Sequence, residues 1–203
     1  MKIYIDFDGT IFDSTKLYNK FINIFNKYNI KKEYIKHELY DQNKNLDILA
    51  NEIIKKNNLN LNILKELENI YSKNLVFKDV IPFLEKYYQK YDLILLTLGD
   101  KTYQQKKINE SKLKKYFKDI IITNKDKSNL DNIDYTNGIF IDNNPIELEK
   151  FYNSNAKNLI RIKRNHDKYS KLNLNINNVP EYNNFNELIT TNYIDNIGDE
   201  INE

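Results

Sequence analysis

The sequence predicts an α/β protein: a doubly wound parallel sheet of about five strands, interrupted by an inserted α-helical cap. Three observations carry that prediction. Short apolar runs at 2–5, 92–96, 120–123, 138–141 and 158–162 have the length and composition of strands buried on both faces. From residue 80 onward these runs alternate with helical patterns, as strands and crossover helices do in a parallel sheet. Between the first run and the second, about sixty residues show helical periodicity and no strand, which is long for a crossover.

Taken in order, the first strand ends in Asp6-Phe7-Asp8-Gly9-Thr10, and Ser14 or Thr15 can cap a helix in which Leu17, Phe21, Ile24, Phe25 and Tyr28 recur at helical spacing. Further helical stripes follow through Ile35 and Leu39, then Leu46, Leu49, Ile53 and Ile54, then Leu61, Leu64, Leu67 and Tyr71. These make residues 14–74 the cap, and 1–13 with 75–192 the core. Pro82 suits the first turn of a helix leading to the second strand, which ends in Thr97-Leu98-Gly99-Asp100. A helix over 103–109 and a short one over 113–117 precede the third strand and its loop Asn124-Lys125-Asp126-Lys127-Ser128. The fourth strand ends in Asp142-Asn143-Asn144, and Pro145 opens a helix carrying Glu147. A last helical turn is expected over 185–189 beyond an Asn-rich stretch at 173–184, and 193–203 reads as a flexible, acidic tail.

Composition narrows the function. The 203 residues carry a net charge of only +2, so no strong field draws the chain to nucleic acid or a membrane surface. Cysteine is absent, which removes disulfides, thiol nucleophiles and thiolate metal sites and leaves oxygen donors for any metal. The N-terminal apolar run stops at Asp6, too soon for a signal peptide, and a cytoplasmic protein is expected. Arginine occurs only at 161 and 164; with Lys163 the pair reads as a solvated strand end. Oligomeric state is not legible.

Chemistry concentrates at the strand ends. Asp6 and Asp8, two residues apart, project to the same side of a strand, outside the carboxyl edge where α/β sheets bind ligands. Like charges held so close favour a bound cation or a shared proton, the mark of a metal-dependent pair. Thr97 with Gly99, the Lys125/Lys127 loop and Asp142 supply polar groups at three more strand ends.

In this order these residues resemble the haloacid dehalogenase superfamily of phosphohydrolases, which have a Rossmann-like core. Asp6-Phe7-Asp8-Gly9-Thr10-Ile11 satisfies that family's first motif, Thr97 its second, a lysine before the fourth strand its third, and Asp142 with Glu147 its acidic fourth. The resemblance covers residues 1–165, and a helical insert directly after the first motif is similar to the family's smallest helical cap. It implies Asp6 as the nucleophile, Asp8 as general acid and base, and Mg²⁺ held by Asp6, the Asp8 carbonyl and Asp142, with Asn143 and Glu147 as outer contacts. It further implies Thr97, Gly99 and Lys127, or alternatively Lys125, as phosphate binders. Asn143 stands where many relatives have a second aspartate. The implied activity is hydrolysis of a small phosphorylated metabolite or nucleotide through an aspartyl-phosphate. A phosphotransferase or phosphomutase, or a non-catalytic binding module on the same scaffold, stays open.

Overall fold

The computed structural model describes residues 1–40, 44–71 and 75–202. Six strands, β1 (Lys2–Ile5), β2 (Asp92–Leu98), β3 (Asp119–Thr123), β4 (Ile139–Asp142), β5 (Asn158–Ile162) and β6 (Glu181–Tyr182), form one parallel sheet in the order β3-β2-β1-β4-β5-β6. The expected doubly wound sheet is therefore present, with one more strand than expected. β6 lies in the Asn-rich stretch; with two residues it has no periodicity to read, and it exists because Arg161 and Ile162 offer Glu181 and Tyr182 a paired edge.

Alternation along the central strands sorts their side chains onto two apolar layers. Ile3, Ile5, Leu93, Leu95, Ile139 and Ile141 face one layer, and Tyr4, Ile94, Leu96 and Phe140 the other. Both faces of β1 are buried, so the strand reads as a continuous apolar run. The second layer is rich in rings: Phe140 stacks on Tyr4 at 4.8 Å and tilts against Phe151 at 4.6 Å.

Four helices, α1 (Ser14–Asn26), α2 (Lys32–Tyr40), α3 (Leu46–Lys56) and α4 (Asn62–Glu68), make up the insert that follows β1. Asp13, rather than Ser14 or Thr15, caps α1 by accepting from the Lys16 N–H. The apolar stripe of α1 (Leu17, Phe21, Ile24, Phe25) joins the first layer of the sheet without a break. Chain enters and leaves this insert through two paired segments: the Asp13 N–H donates to the Leu75 carbonyl and the Phe77 N–H to the Ile11 carbonyl. The boundary expected at 74/75 abuts 72–74, which with 41–43 and 203 fall outside the described residues.

The remaining helices flank the sheet: α5 (Val80–Tyr87), α6 (Lys101–Ser111), α7 (Pro145–Asn153), α8 (Phe185–Thr190) and α9 (Tyr193–Asn202). The tail expected to be flexible is α9. Ile194 is fully buried, and Asp195 receives Lys86 at 3.1 Å and Lys90 at 2.7 Å, which ties α9 to α5 and the turn after it. Its acidity looked like a solvated end only because those lysines are a hundred residues away in sequence. Among the described residues no helix is long and apolar enough to cross a membrane.

Candidate active site

The carboxyl ends of β1, β2 and β4 and the loop after β3 meet at one edge of the sheet. The parallel register puts Leu95 beside Ile5 and Ile141 beside Ile5 on the other side. Thr97 and Asp142 consequently flank the turn that begins at Asp6.

Asp6 is buried, its Oδ1 accepting from Lys127 Nζ at 3.0 Å and its Oδ2 from Thr10 Oγ1 at 3.1 Å. Lys127 Nζ also donates to Asp142 Oδ2 at 2.6 Å, so a single buried ammonium joins the two carboxylates. Burial pushes the Asp6 carboxyl up to about 7; Asp142 adds to that rise and Lys127 opposes it. For Lys127, burial disfavours the charge but Asp142 and Asp6 outweigh it, and the ammonium is held above its ordinary range. Lys127 is therefore the lysine of this loop that is buried between the two carboxylates. Lys125 is exposed, its N–H donating to Thr123 Oγ1 in the turn.

Asp8 has a separate set of partners. Lys107 Nζ donates to its Oδ2 at 2.6 Å, Gln104 Nε2 to the same oxygen at 2.7 Å, and Ser14 Oγ to its Oδ1. Burial would raise this carboxyl, but the Lys107 ammonium prevails and holds it below the ordinary carboxylate range. Lys107 is itself buried, 4.8 Å from the centre of the Tyr103 ring and 5.7 Å from those of Phe7 and Phe12. Each carboxylate of the pair has an ammonium of its own, Lys127 for Asp6 and Lys107 for Asp8. Saturated by three donors, the Asp8 carboxylate leaves its main-chain carbonyl as its means of holding a metal.

Thr97 is buried and its hydroxyl has no hydrogen-bond partner, an arrangement that costs about 1–3 kcal/mol unless something is bound there. The Gly99 N–H donates to the Thr123 carbonyl at 2.8 Å. Its φ of +148° and missing Cβ let Gln104 pass, since a Cβ would lie 2.9 Å from Gln104 Nε2. Asp142 takes the Asn144 N–H at 2.8 Å on its Oδ1. Glu147 is buried beside this group, with Oε1 on Lys150 at 2.9 Å and Oε2 unpartnered.

Asn143 does more than stand in for an acid. Its N–H donates to Thr10 Oγ1 at 3.0 Å, its Oδ1 lies 3.1 Å from the same hydroxyl, and its Nδ2 donates to Asp167. Asp167, on the loop after β5, brings back a carboxylate one residue shell further out, and burial raises its titration above the ordinary carboxylate value. Thr10, Gln104, Lys107 and Asp167 carried no role in the sequence reading. Thr10 showed only as a position of the first motif, and the other three only as polar side chains on a turn and on a weakly amphipathic helix, common anywhere on a surface.

The residues fit a hard divalent ion. Asp6 and Asp142 are oxygen donors at one edge, and a cation of the Mg²⁺ type takes one or two carboxylates with waters and substrate oxygens. Among the described residues no group of three or more His, Asp or Glu side chains gathers as a metal cluster, so this set depends on the Asp8 carbonyl.

This is a doubly wound α/β core whose polar residues line the carboxyl edge beside a helical insert, and it has the fold of the haloacid dehalogenase superfamily. A haloacid dehalogenase-like family hydrolase from Xanthomonas campestris superposes with a TM-score of 0.64 at 15% identity, over 94% of this chain and 93% of that one. The haloacid dehalogenase phosphatase of Thermococcus onnurineus gives 0.57 at 21% identity, over 94% and 97%. YfnB of Bacillus subtilis, assigned as a hydrolase of the same superfamily and solved with magnesium bound, gives 0.60 at 13% identity, over 94% and 97%. Dehalogenases and a Thermotoga maritima protein assigned as a β-phosphoglucomutase share the fold as well. No family model matches the sequence, and no curated protein matches it.

Proposed function

We propose that the chain is a Mg²⁺-dependent phosphatase that hydrolyses a small phosphate monoester through an aspartyl-phosphate on Asp6. The observation that carries this reading is the Asp6–Lys127–Asp142 group beside the unpartnered Thr97 hydroxyl: a buried carboxylate nucleophile, a cation and a vacant donor at one sheet edge. Asp6, Asp142 and the Asp8 carbonyl would hold Mg²⁺, which would supply the positive charge that lets a phosphate dianion approach a carboxylate.

An Asp6 oxygen attacks phosphorus, the bond from phosphorus to the leaving alcohol breaks, and Asp8 delivers the proton that the alcohol takes. Water then attacks the aspartyl-phosphate, its proton passes to Asp8, and the Asp6–phosphorus bond breaks. Held ionised by Lys107, Asp8 is set for the second half as it stands; for the first, the proton it passes on lies within a hydrogen bond, on the Lys107 ammonium. Lys127 and Thr97 donate to the phosphoryl oxygens and stabilise charge as it develops. The insert acts as the cap over this edge: Lys106 of α6 reaches Asp47 of α3 at 2.8 Å, and Tyr71 donates to the same carboxylate at 2.8 Å. Substrates are small phosphorylated metabolites or nucleotides, met in the cytoplasm.

The test is turnover of para-nitrophenyl phosphate and of a phosphorylated-metabolite panel, with Mg²⁺ and with EDTA. Mg²⁺-dependent release of phosphate is expected, and Asp6→Asn abolishes it with the fold intact. Folded protein that releases none from any of them overturns the reading. Phosphoryl exchange between sugar phosphates faster than hydrolysis would identify a mutase.

A further inference from the structure

Of 31 basic residues in this chain only Arg161 and Arg164 are arginine, and neither is the solvated strand end that the sequence suggested. Arg161 is fully buried and Arg164 nearly so. Arg161 sits directly opposite Asp142 in the β4–β5 ladder. Its Nε donates to the Asn143 carbonyl at 3.3 Å, its Nη2 to the Tyr169 carbonyl at 2.9 Å, and its Nη1 pairs with Glu181 at 2.7 Å. Arg164 donates through Nη2 to the Thr10 carbonyl at 2.8 Å and through Nη1 to Asp79 at 2.8 Å, with its guanidinium 4.0 Å from the centre of the Phe77 ring.

The two carbonyls taken, those of Thr10 and Asn143, belong to the residues that bond each other across the site. Thr10 Oγ1 accepts from the Asn143 N–H and shares its proton between Asn143 Oδ1 and Asp6 Oδ2. A circuit results, from Arg164 to Thr10 to Asn143 to Arg161, with Asp6 hanging from Thr10 and Asp142 adjoining Asn143. We propose that Arg161 and Arg164 are positioning residues that pin the β4 loop and the β1 loop, respectively, to the carboxyl end of β5 from behind and thereby fix the spacing of the Asp6 and Asp142 carboxylates. A lysine keeps the charge and loses the job, because one ammonium cannot send donors in three fixed in-plane directions or stack flat on a ring. The pinning stands on geometry alone; its consequence for turnover rests on the phosphatase reading above.

The experiment measures amide hydrogen exchange by NMR in the full chain, for wild type, Arg161→Lys and Arg164→Lys. The reporter is the Asn143 N–H that bonds Thr10, and the Phe140 and Ile160 amides of the sheet are the control. Each substitution is expected to speed Asn143 exchange about 10-fold or more by local opening while the sheet amides hold. Mg²⁺ affinity by calorimetry is expected to fall roughly 10- to 100-fold, as it does when the supports of metal ligands are lost. With para-nitrophenyl phosphate the loss falls on kcat, with KM little changed. Unaltered Asn143 protection overturns the proposal, as does a parallel rise at the sheet amides, which would make the arginines general stabilisers. Should Arg161→Lys not fold, Glu181→Ala releases one arm of the same guanidinium from a partly exposed partner, and the same reporter decides. A wild type without phosphatase activity would sink the phosphatase reading and leave the exchange result standing.

Discussion

Replacing Asp6 by asparagine tests the electrostatics of the site independently of any substrate. In metal-free protein the Asp6 carboxyl, raised mainly by burial, titrates near 7, against 3.8 for an unperturbed group. Between those values the folded state holds a proton that the unfolded chain has released. Stability from this group is thus complete below about pH 4 and is lost as pH rises through about 7. The shift of about three units, at about 1.36 kcal/mol each, corresponds to about 4 kcal/mol, or roughly 10 °C in melting temperature for a chain of this length. Asp6→Asn keeps the shape and removes the titration. Thermal melts followed by circular dichroism in EDTA should show variant and wild type nearly level at pH 4.5, and the variant clearly more stable at pH 8.5. Mg²⁺ added at pH 8.5 should raise wild type by about 2.7 kcal/mol at a hundred times its dissociation constant and the variant much less. Parallel curves across the pH range would refute the argument, since they would mean that Asp6 is not forced to carry its charge against burial and Asp142.

Thr97→Val should stabilise the fold by about 1 kcal/mol in urea titrations, by removing a buried hydroxyl without a partner, yet raise KM for an aryl phosphate about 10-fold; the opposing signs together are diagnostic. Lys107→Met leaves the half-buried Asp8 carboxylate without its ammonium, and the broken pair should cost about 1–2 kcal/mol in chemical denaturation, less than a fully buried pair would. In the same variant burial acts on Asp8 against only the Ser14 and Gln104 hydrogen bonds, so the acid limb of kcat/KM should move to higher pH, which a pH–rate profile reads. Gly9→Ala should lose about 2 kcal/mol or more by chemical denaturation, because φ is +86° there and a Cβ would collide with the Asn143 amide, which Asp167 and Thr10 hold in place.

The residues legible in the sequence were those whose role follows from their own strand. Asp6, Asp8, Thr97 and Asp142 each end an apolar run, and alternation with register then dictates where they meet. Lys127 was the first choice over Lys125 on the resemblance, but two residues in a polar loop differ only in which one the turn buries, and that is a property of the fold. Lys107 and Gln104 sit on α6, whose apolar stripe is faint, and their purpose is visible only once β1 lies alongside. The arginines were misread for a related reason: a basic cluster after a strand is ordinary on a surface, and nothing local shows that Thr10, Asn143 and Asp79 surround it. β6 and α9 were missed because a strand of two residues and an acidic helix draw their stability from distant partners, Arg161 in one case and Lys86 with Lys90 in the other.

The two segments that carry chain into and out of the helical insert are hydrogen-bonded to each other, Asp13 to Leu75 and Phe77 to Ile11. A double ribbon of that kind resists shear and in-plane bending far more than it resists twist. The aromatic ring of Phe77 lies 4.0 Å from the Arg164 guanidinium, which also holds the Thr10 carbonyl, so the incoming and outgoing segments share one anchor.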